Sequence, residues 1–395
     1  PAELRARKPG LPKGADHKVR GACVKLRAPA GLTFPSLAVL LRNVRNIFSE
    51  AALSFPLSRR GLVLGASATA LSACVGGGDK FINVYTARHY DADRALYAAF
   101  QEATGIEIRA LTGSAEQLLE RMKAEGDQTE ADVFISADAG NLWKVKDAGL
   151  FQNVTTPTLQ EKVPEHLRDP DGAFWGFTKR ARIIVYRKDA VRPEEVATMD
   201  ALGTARFRNQ IVMRSSSNVY QLSTLAARIE RLGAENARAW AAAVRGNFAH
   251  DPQGSDTDQI KAVAAGEAQA SVCNHYYYFR MVRSEDPADR AVVEKVGFVF
   301  PDQAGAGTHI NISGGGVTAH AKRRDLGVQF LEYLVSDEAQ TMLAPLNTEF
   351  PIRPEIAPAP DLAAAGPFKE ENIPLDALGR HQAEAARIFE EVGWS

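Results

Sequence analysis

"FINVYTARHYDADRALYAAFQEATGIEIRALTG", residues 81–113, decides the fold class of this chain. Residues 81–87 form a short apolar, strand-like run. Residues 91–105 then put Leu96, Ala99 and Phe100 on one helical face, with Asp91 or Asp93 near the start and Gly105 as a stop. Residues 106–113 return to a strand pattern. The alternation continues outward: "SAEQLLERMKAEG" is a helix capped by Ser114, "ADVFISA" a strand and "GNLWKVKDAG" a helix. Strands alternating with helices predict an α/β fold with a mainly parallel sheet.

A second unit of the same kind opens near residues 172–189. Its predicted strands include "NQIVMR", "AQASVC" and "KVGFVFP", and "NTEFPIRPE" is a later strand. Helical spacing covers "NVYQLSTLAARIERLG", "GAENARAWAAAV" and "SDTDQIKAVAAGE", then two helices across 323–345 and a terminal helix in "LDALGRHQAEAARIFEEVGW". Extended crossings near 177–186 and 300–314 predict two lobes, 81–177 with 305–355 and 178–304 with 356–395. A ligand would then sit in the cleft between them. The Gly-rich "SGGGVTAH" lacks the Lys-Ser/Thr of a phosphate loop and is read as hinge and close packing.

Charge is distributed unevenly along the chain. Residues 1–73 carry twelve Lys/Arg against three Asp/Glu, whereas residues 74–395 carry 35 against 45. An acidic body of this kind excludes nucleic acid as a natural partner. Within the basic leader, "LSRRGLVLGASATALSAC" (57–74) joins an Arg59-Arg60 pair to a short apolar run and ends in Cys74. That run is too short to span a bilayer. It resembles a twin-arginine export signal, and "LSAC" resembles a lipobox with Cys74 as the lipidated first residue. Residues 1–56 hold no periodic pattern and are expected to be disordered or to lie upstream of the true start; residues 74–80 form a Gly-rich tether. The other cysteines are Cys23 and Cys273, which leaves the exported body without an internal disulfide or a Cys-based zinc site.

The chemistry concentrates in tyrosine. The chain has nine, and three are consecutive in "NHYYYFR" (274–280). A phenol is a core-filling ring or, once deprotonated, a hard anionic oxygen ligand. As a strand, the run would point Tyr276 and Tyr278 one way and Tyr277 the other, so two adjacent ligands require the strand to end here. Tyr278 is assigned to the core. Tyr85, Tyr97, Tyr186 and Tyr333 lie in apolar runs and read as structural. No G-x-S-x-G elbow and no H-E-x-x-H pair is present, so no enzyme is indicated.

The stretches "NVYTARHYDADRALYAAFQEATGI", "ADVFISADAGNLW", "RSSSNVYQLS", "NHYYYFR" and "LNTEFPIRP" resemble, in order, those of the ferric-iron-binding periplasmic proteins of bacterial ABC transporters. The resemblance implies a two-lobe, type II periplasmic-binding fold that closes on one Fe(III), with Fe(II) as a second candidate. It implies Tyr90, Tyr220, Tyr276 and Tyr277 as ligands, His89 as ligand or bystander, and Arg180 and Arg280 beside the ligand sphere. No glutamate is assigned to the site. The implied partners are an inner-membrane permease and its ATPase, with the protein monomeric, periplasmic or cell-surface, and held to the membrane only by lipid on Cys74. The alternative within the fold is a receptor for thiamine, a polyamine or a sulfate-like oxyanion, with aromatics walling the ligand.

The residue types suit iron. Fe(III) is small and highly charged and prefers anionic oxygen to thiolate. Free tyrosine titrates near about 10, and a trivalent cation stabilises the phenolate and drives off the proton.

Overall fold

The structure is a computed structural model that describes residues 80–88 and 90–395. The leader, Cys74 and His89 lie outside the described residues. Strands β1 (Phe81–Thr86), β2 (Glu107–Thr112) and β3 (Val133–Ser136) alternate with helices α1 (Asp91–Thr104), α2 (Ala115–Glu125) and α3 (Ala139–Asp147). Local chemistry explains the punctuation. Gly105 closes α1 in the left-handed region at φ 72°, and Ser114 caps α2 in a reciprocal box with Gln117.

The sheet runs β2-β1-β3-β7-β4-β5, with β6 and β8 also on β4. Here β4 is Trp175–Arg187, β5 Ala270–Asn274, β6 Val296–Val299, β7 Ile310–Val317 and β8 Phe350–Pro351. Among these strands, parallel ladders join β1 to β2 and to β3. The pairings β3–β7, β4–β5, β4–β6, β4–β7 and β4–β8 are antiparallel, so the sheet is mixed rather than mainly parallel. The cause is the crossing. β4 carries the chain from one half to the other and β7 carries it back, so the two run opposed.

β4 belongs to both halves. Its residues up to Ala181 pair with β7, and its residues from Arg182 pair with β5 and, from Ile184, with β6. Three glycines make the β7 side fit: a Cβ on Gly316 would lie 2.2 Å from the Ala173 carbonyl oxygen. Separate apolar cores lie on either side. Ile82, Phe100, Phe134, Phe174 and Phe330 anchor the first, while Phe207, Trp240, Phe389 and Trp394 anchor one of two clusters in the second half. Residues 356–395 serve both halves. Leu375 and Leu378 join the first core and Ile388 and Phe389 join the second.

Three local expectations fail. "NQIVMR" supplies only Ile211 to isolated bridges with Phe248 and Ala270, and "NTEFPIRPE" shrinks to the two residues of β8. Prolines at 351 and 354 remove ladder donors from that run. The terminal helix divides at His381. The other helices used below are α4 (Val219–Leu232), α5 (His275–Arg283), α6 (Ala377–Arg380) and α7 (Gln382–Glu391). Gly379 lets α6 lie against Trp143, where a Cβ would sit 2.4 Å from the indole carbons. No helix among the described residues is long and apolar enough to cross a membrane.

Candidate metal centre

Tyr90, Tyr220, Tyr276 and Tyr277 all stand at the start of a helix. Tyr90 is the residue before α1, just past β1; Tyr220 is the second residue of α4, whose cap Asn218 accepts the Tyr220 N–H at 3.0 Å; Tyr276 and Tyr277 are the second and third residues of α5, immediately after β5. Each helix N-terminus presents partial positive charge, which favours an anionic oxygen there.

The tyrosine run is not strand. β5 ends at Asn274, so its residues follow helical spacing of about 100° each instead of alternating faces. Tyr276 and Tyr277 therefore stay neighbours, with ring centroids 4.3 Å apart. Tyr278 turns into the core, 6% exposed, and its hydroxyl donates to the Val296 carbonyl at 3.3 Å.

The structure brings the four tyrosines together with both expected arginines. The hydroxyls of Tyr220 and Tyr276 are 3.1 Å apart. The Arg280 guanidinium carbon lies 4.9 Å from the Tyr276 ring and 5.5 Å from the Tyr90 ring. That of Arg180 lies 5.7 Å from the Tyr220 ring. Arg180 is buried; its Nη2 donates to the Ile312 carbonyl at 3.0 Å, while Nε and Nη1 make no hydrogen bond among the described residues.

Three further charged residues belong here and were not assigned from sequence. Arg88 lies 4.7 Å from the Tyr90 ring and Arg214 lies 5.6 Å from the Tyr220 ring. Glu349 is fully buried: its Oε2 accepts from Thr178 at 2.6 Å and from Arg88 at 3.4 Å, while Oε1 makes no hydrogen bond and pairs with Arg180 Nε at 3.9 Å. Glu349 is thus a buried carboxylate beside the tyrosines that the sequence reading did not name. Glu349 stands in the quoted "LNTEFPIRP", but a lone glutamate in a tail has no spacing that marks it. Arg88 was adjacent to His89-Tyr90 and equally unmarked.

Burial raises the pKa of Tyr90, and Glu349 raises it further, while Arg180 and Arg88 pull it down. Burial also lifts Tyr276 well above the ordinary value, followed by the nearby Tyr220 and Tyr90, and it lifts Tyr277 as well. Burial works against the charge of Arg180, yet Tyr220, Tyr90 and Glu349 outweigh it and raise its pKa. Without a cation these raised values hold Tyr90, Tyr276 and Tyr277 in the neutral form. A bound trivalent ion would reverse that balance, and the guanidinium groups would offset excess phenolate charge.

Residues from the two halves also meet beside the centre. Asp138, buried at the start of α3, accepts from Ser223 of α4 at 2.9 Å and from Asn311 of β7 at 2.7 Å. Its pKa is raised, by burial foremost. Behind Tyr90 a cavity of about 370 Å³ opens at the carboxyl ends of β1 and β2, between Thr86, Thr112 and Tyr97. Among the described residues, no group of three or more His, Cys, Asp or Glu side chains could hold a metal ion.

A family model described as bacterial extracellular solute-binding protein matches residues 95–370. The chain is 44% identical over 348 residues to Iron uptake protein A2 of Synechocystis sp., covering 86% of this chain and 99% of that protein. It is 25% identical over 339 residues to the Major ferric iron-binding protein of Neisseria meningitidis, covering 85% and 98%. Among solved structures, the Trichodesmium protein in complex with iron and citrate ligands superposes with a TM-score of 0.78 at 43% identity, covering 80% of this chain and all of that one. The ferric binding protein from Campylobacter jejuni gives 0.75 at 39%, with coverage of 80% and 100%. With its mixed sheet shared between two halves and four phenols gathered at helix starts, this chain belongs to the bacterial extracellular solute-binding protein family.

Proposed function

We propose that this protein captures Fe(III) with Tyr90, Tyr220, Tyr276 and Tyr277 as phenolate ligands and hands it to an inner-membrane ABC permease. The observation that carries the reading is the convergence of four phenols from three helix starts, with the oxygens of Tyr220 and Tyr276 3.1 Å apart. A small octahedral cation with bonds of about 2.1 Å holds adjacent oxygens about 3 Å apart. Four phenolates on Fe(III) carry one net negative charge, which Arg180 and Arg280 offset. Such a set favours Fe(III) over Fe(II), so reduction is a plausible release step. His89, next to Tyr90 in sequence, is the candidate for a further coordination position. The names of the Synechocystis, Neisseria and Campylobacter relatives support iron as cargo.

The lobes in this reading are residues 81–177 with 305–355 and residues 178–304 with 356–395, the last segment also packing Leu375 and Leu378 into the first core, and they close about the two crossings. The protein works as an extracytoplasmic monomer whose only membrane attachment is lipid on Cys74. Mass spectrometry of the membrane fraction should find an acylated Cys74 as the first residue; a mature form beginning elsewhere rejects the anchor.

Titration of the purified protein with Fe(III) tests the metal reading. One equivalent should develop a visible phenolate-to-iron band, which a receptor for an organic cation or oxyanion lacks. Binding should release roughly one proton per phenol converted. The sign follows from the raised pKa values of Tyr90, Tyr276 and Tyr277. Protons compete with iron for each oxygen, so affinity falls as pH falls. A colourless, pH-independent complex overturns the proposal.

A further inference from the structure

We infer that His275 is a positioning residue that couples the hinge strand to the ligand pair Tyr276–Tyr277. The inference rests on the metal reading above and adds a residue that touches no metal.

The pivot is legible in the hydrogen bonds. Ala181 is the last residue of β4 paired with β7, opposite Ile310, and Arg182 is the first paired with β5, opposite Asn274. The Arg182 N–H donates to the His309 carbonyl at 2.9 Å, on the β7 side. Successive N–H groups of a strand point to opposite edges, so the Ala181 N–H points to the other edge, beyond the last residue of β5. A buried backbone donor there needs an acceptor. The imidazole of His275 supplies it: the Ala181 N–H donates to Nδ1 at 3.1 Å. A side chain thus extends the β5 ladder by one step at the point where the backbone turns into α5.

The ring is held from other directions as well. It is fully buried and lies flat on Phe350, centroids 4.6 Å apart at 28°, and Phe350 is bound through β8 to Lys179 of β4. Its edge meets Tyr276 at 6.1 Å between centroids. With Nδ1 accepting, the proton of the neutral ring sits on Nε2. His275 therefore connects the hinge residue Ala181, the segment carrying Glu349 and the first ligand of the pair. A rotation between Ala181 and Arg182 has to move this ring, and with it the first turn of α5.

Two near-isosteres separate the atoms involved. Asn at 275 places an acceptor where Nδ1 sits; Gln places one where Nε2 sits. Fe(III) affinity is measured against a competing chelator, together with the position of the visible band and the change in radius of gyration on iron binding. His275→Asn should stay within about threefold of the wild type, and His275→Gln should bind about tenfold more weakly, the cost of one buried hydrogen bond. In His275→Gln the band should shift as the phenolates reorient, and the iron-induced contraction should shrink. Equal affinity, band and contraction in the two variants overturns the coupling, whether both match the wild type or both are impaired. A wild type that gives no band at all sinks the metal reading instead.

Discussion

Tyr220, Tyr276 and Tyr277 come from the second half of the molecule and contact one another. Two of their hydroxyls are 3.1 Å apart, and two of their rings are 4.3 Å apart. Tyr90 comes from the first half and is flanked by the guanidinium groups of Arg88 and Arg280, with Glu349 close enough to raise its pKa. In the proposed reading one half therefore brings a pre-assembled donor cluster. The other brings a single donor set among fixed charges. In the proposed mechanism this asymmetry divides the labour: the second half takes the ion, and Tyr90 closes over it. A lone donor costs little to withdraw when the ion must leave.

The largest effect should come from the assembled side. Tyr276→Phe and Tyr277→Phe each keep the ring and remove one oxygen, so packing is nearly conserved. Iron affinity should fall by more than about 100-fold, above the roughly 10–100-fold typical of losing an outer-sphere partner. The visible band should weaken in both. Tyr278→Phe forfeits only the bond to the Val296 carbonyl. It should leave colour and affinity unchanged and cost about 1 kcal/mol of stability or less, read from denaturant unfolding. A Tyr278→Phe protein without the band, beside coloured Tyr276→Phe and Tyr277→Phe proteins, would reverse the assignment within the run.

Tyr90→Phe should have a smaller effect on capture and a qualitative one on shape. The cluster of three remains, so a shifted band should persist with affinity reduced about tenfold to 100-fold. Small-angle scattering should then show no contraction on adding Fe(III), whereas the wild type contracts. Full contraction of the variant would mean that closure does not depend on the first-half ligand, and the division of labour would be wrong.

The smallest effect belongs to Ser223→Ala. Ser223 hydrogen-bonds across the halves to Asp138, which keeps Asn311 and the Asn141 N–H as partners. The loss should be about 1 kcal/mol or less of apo stability and no more than about fivefold in iron affinity, with the band unmoved. A large shift in the band would show that Asp138 acts on the ligands themselves.

Much of this was legible in the sequence because it depends on local rules. Hydrophobic periodicity marked β1, α1, β2 and α2, and Gly105 and Ser114 marked their ends. Helical spacing from 218 onward put Tyr220 at the start of α4. The tyrosine run was harder. Composition alone left packing and ligation open, and what gave ligation the advantage was the resemblance of several stretches in order.

What the chain could not state locally is what depends on partners far apart in sequence. The antiparallel pairing of β4 with β7 joins residues about 130 positions apart, and no local period encodes the direction in which they meet. Glu349 became a site residue only when folding set it against Arg88, 261 positions away. The strand-to-helix switch at Asn274 was likewise a tertiary decision. β5 ends where its ladder on β4 ends, the His275 side chain takes the next donor, and the following residues are free to coil into α5. The sequence by itself determined which residues carry phenolic oxygen and where helices such as α1, α2 and α4 begin. Only the tertiary structure decided which of those oxygens converge and which charges surround them, because electrostatics and metal geometry act through space and not along the chain.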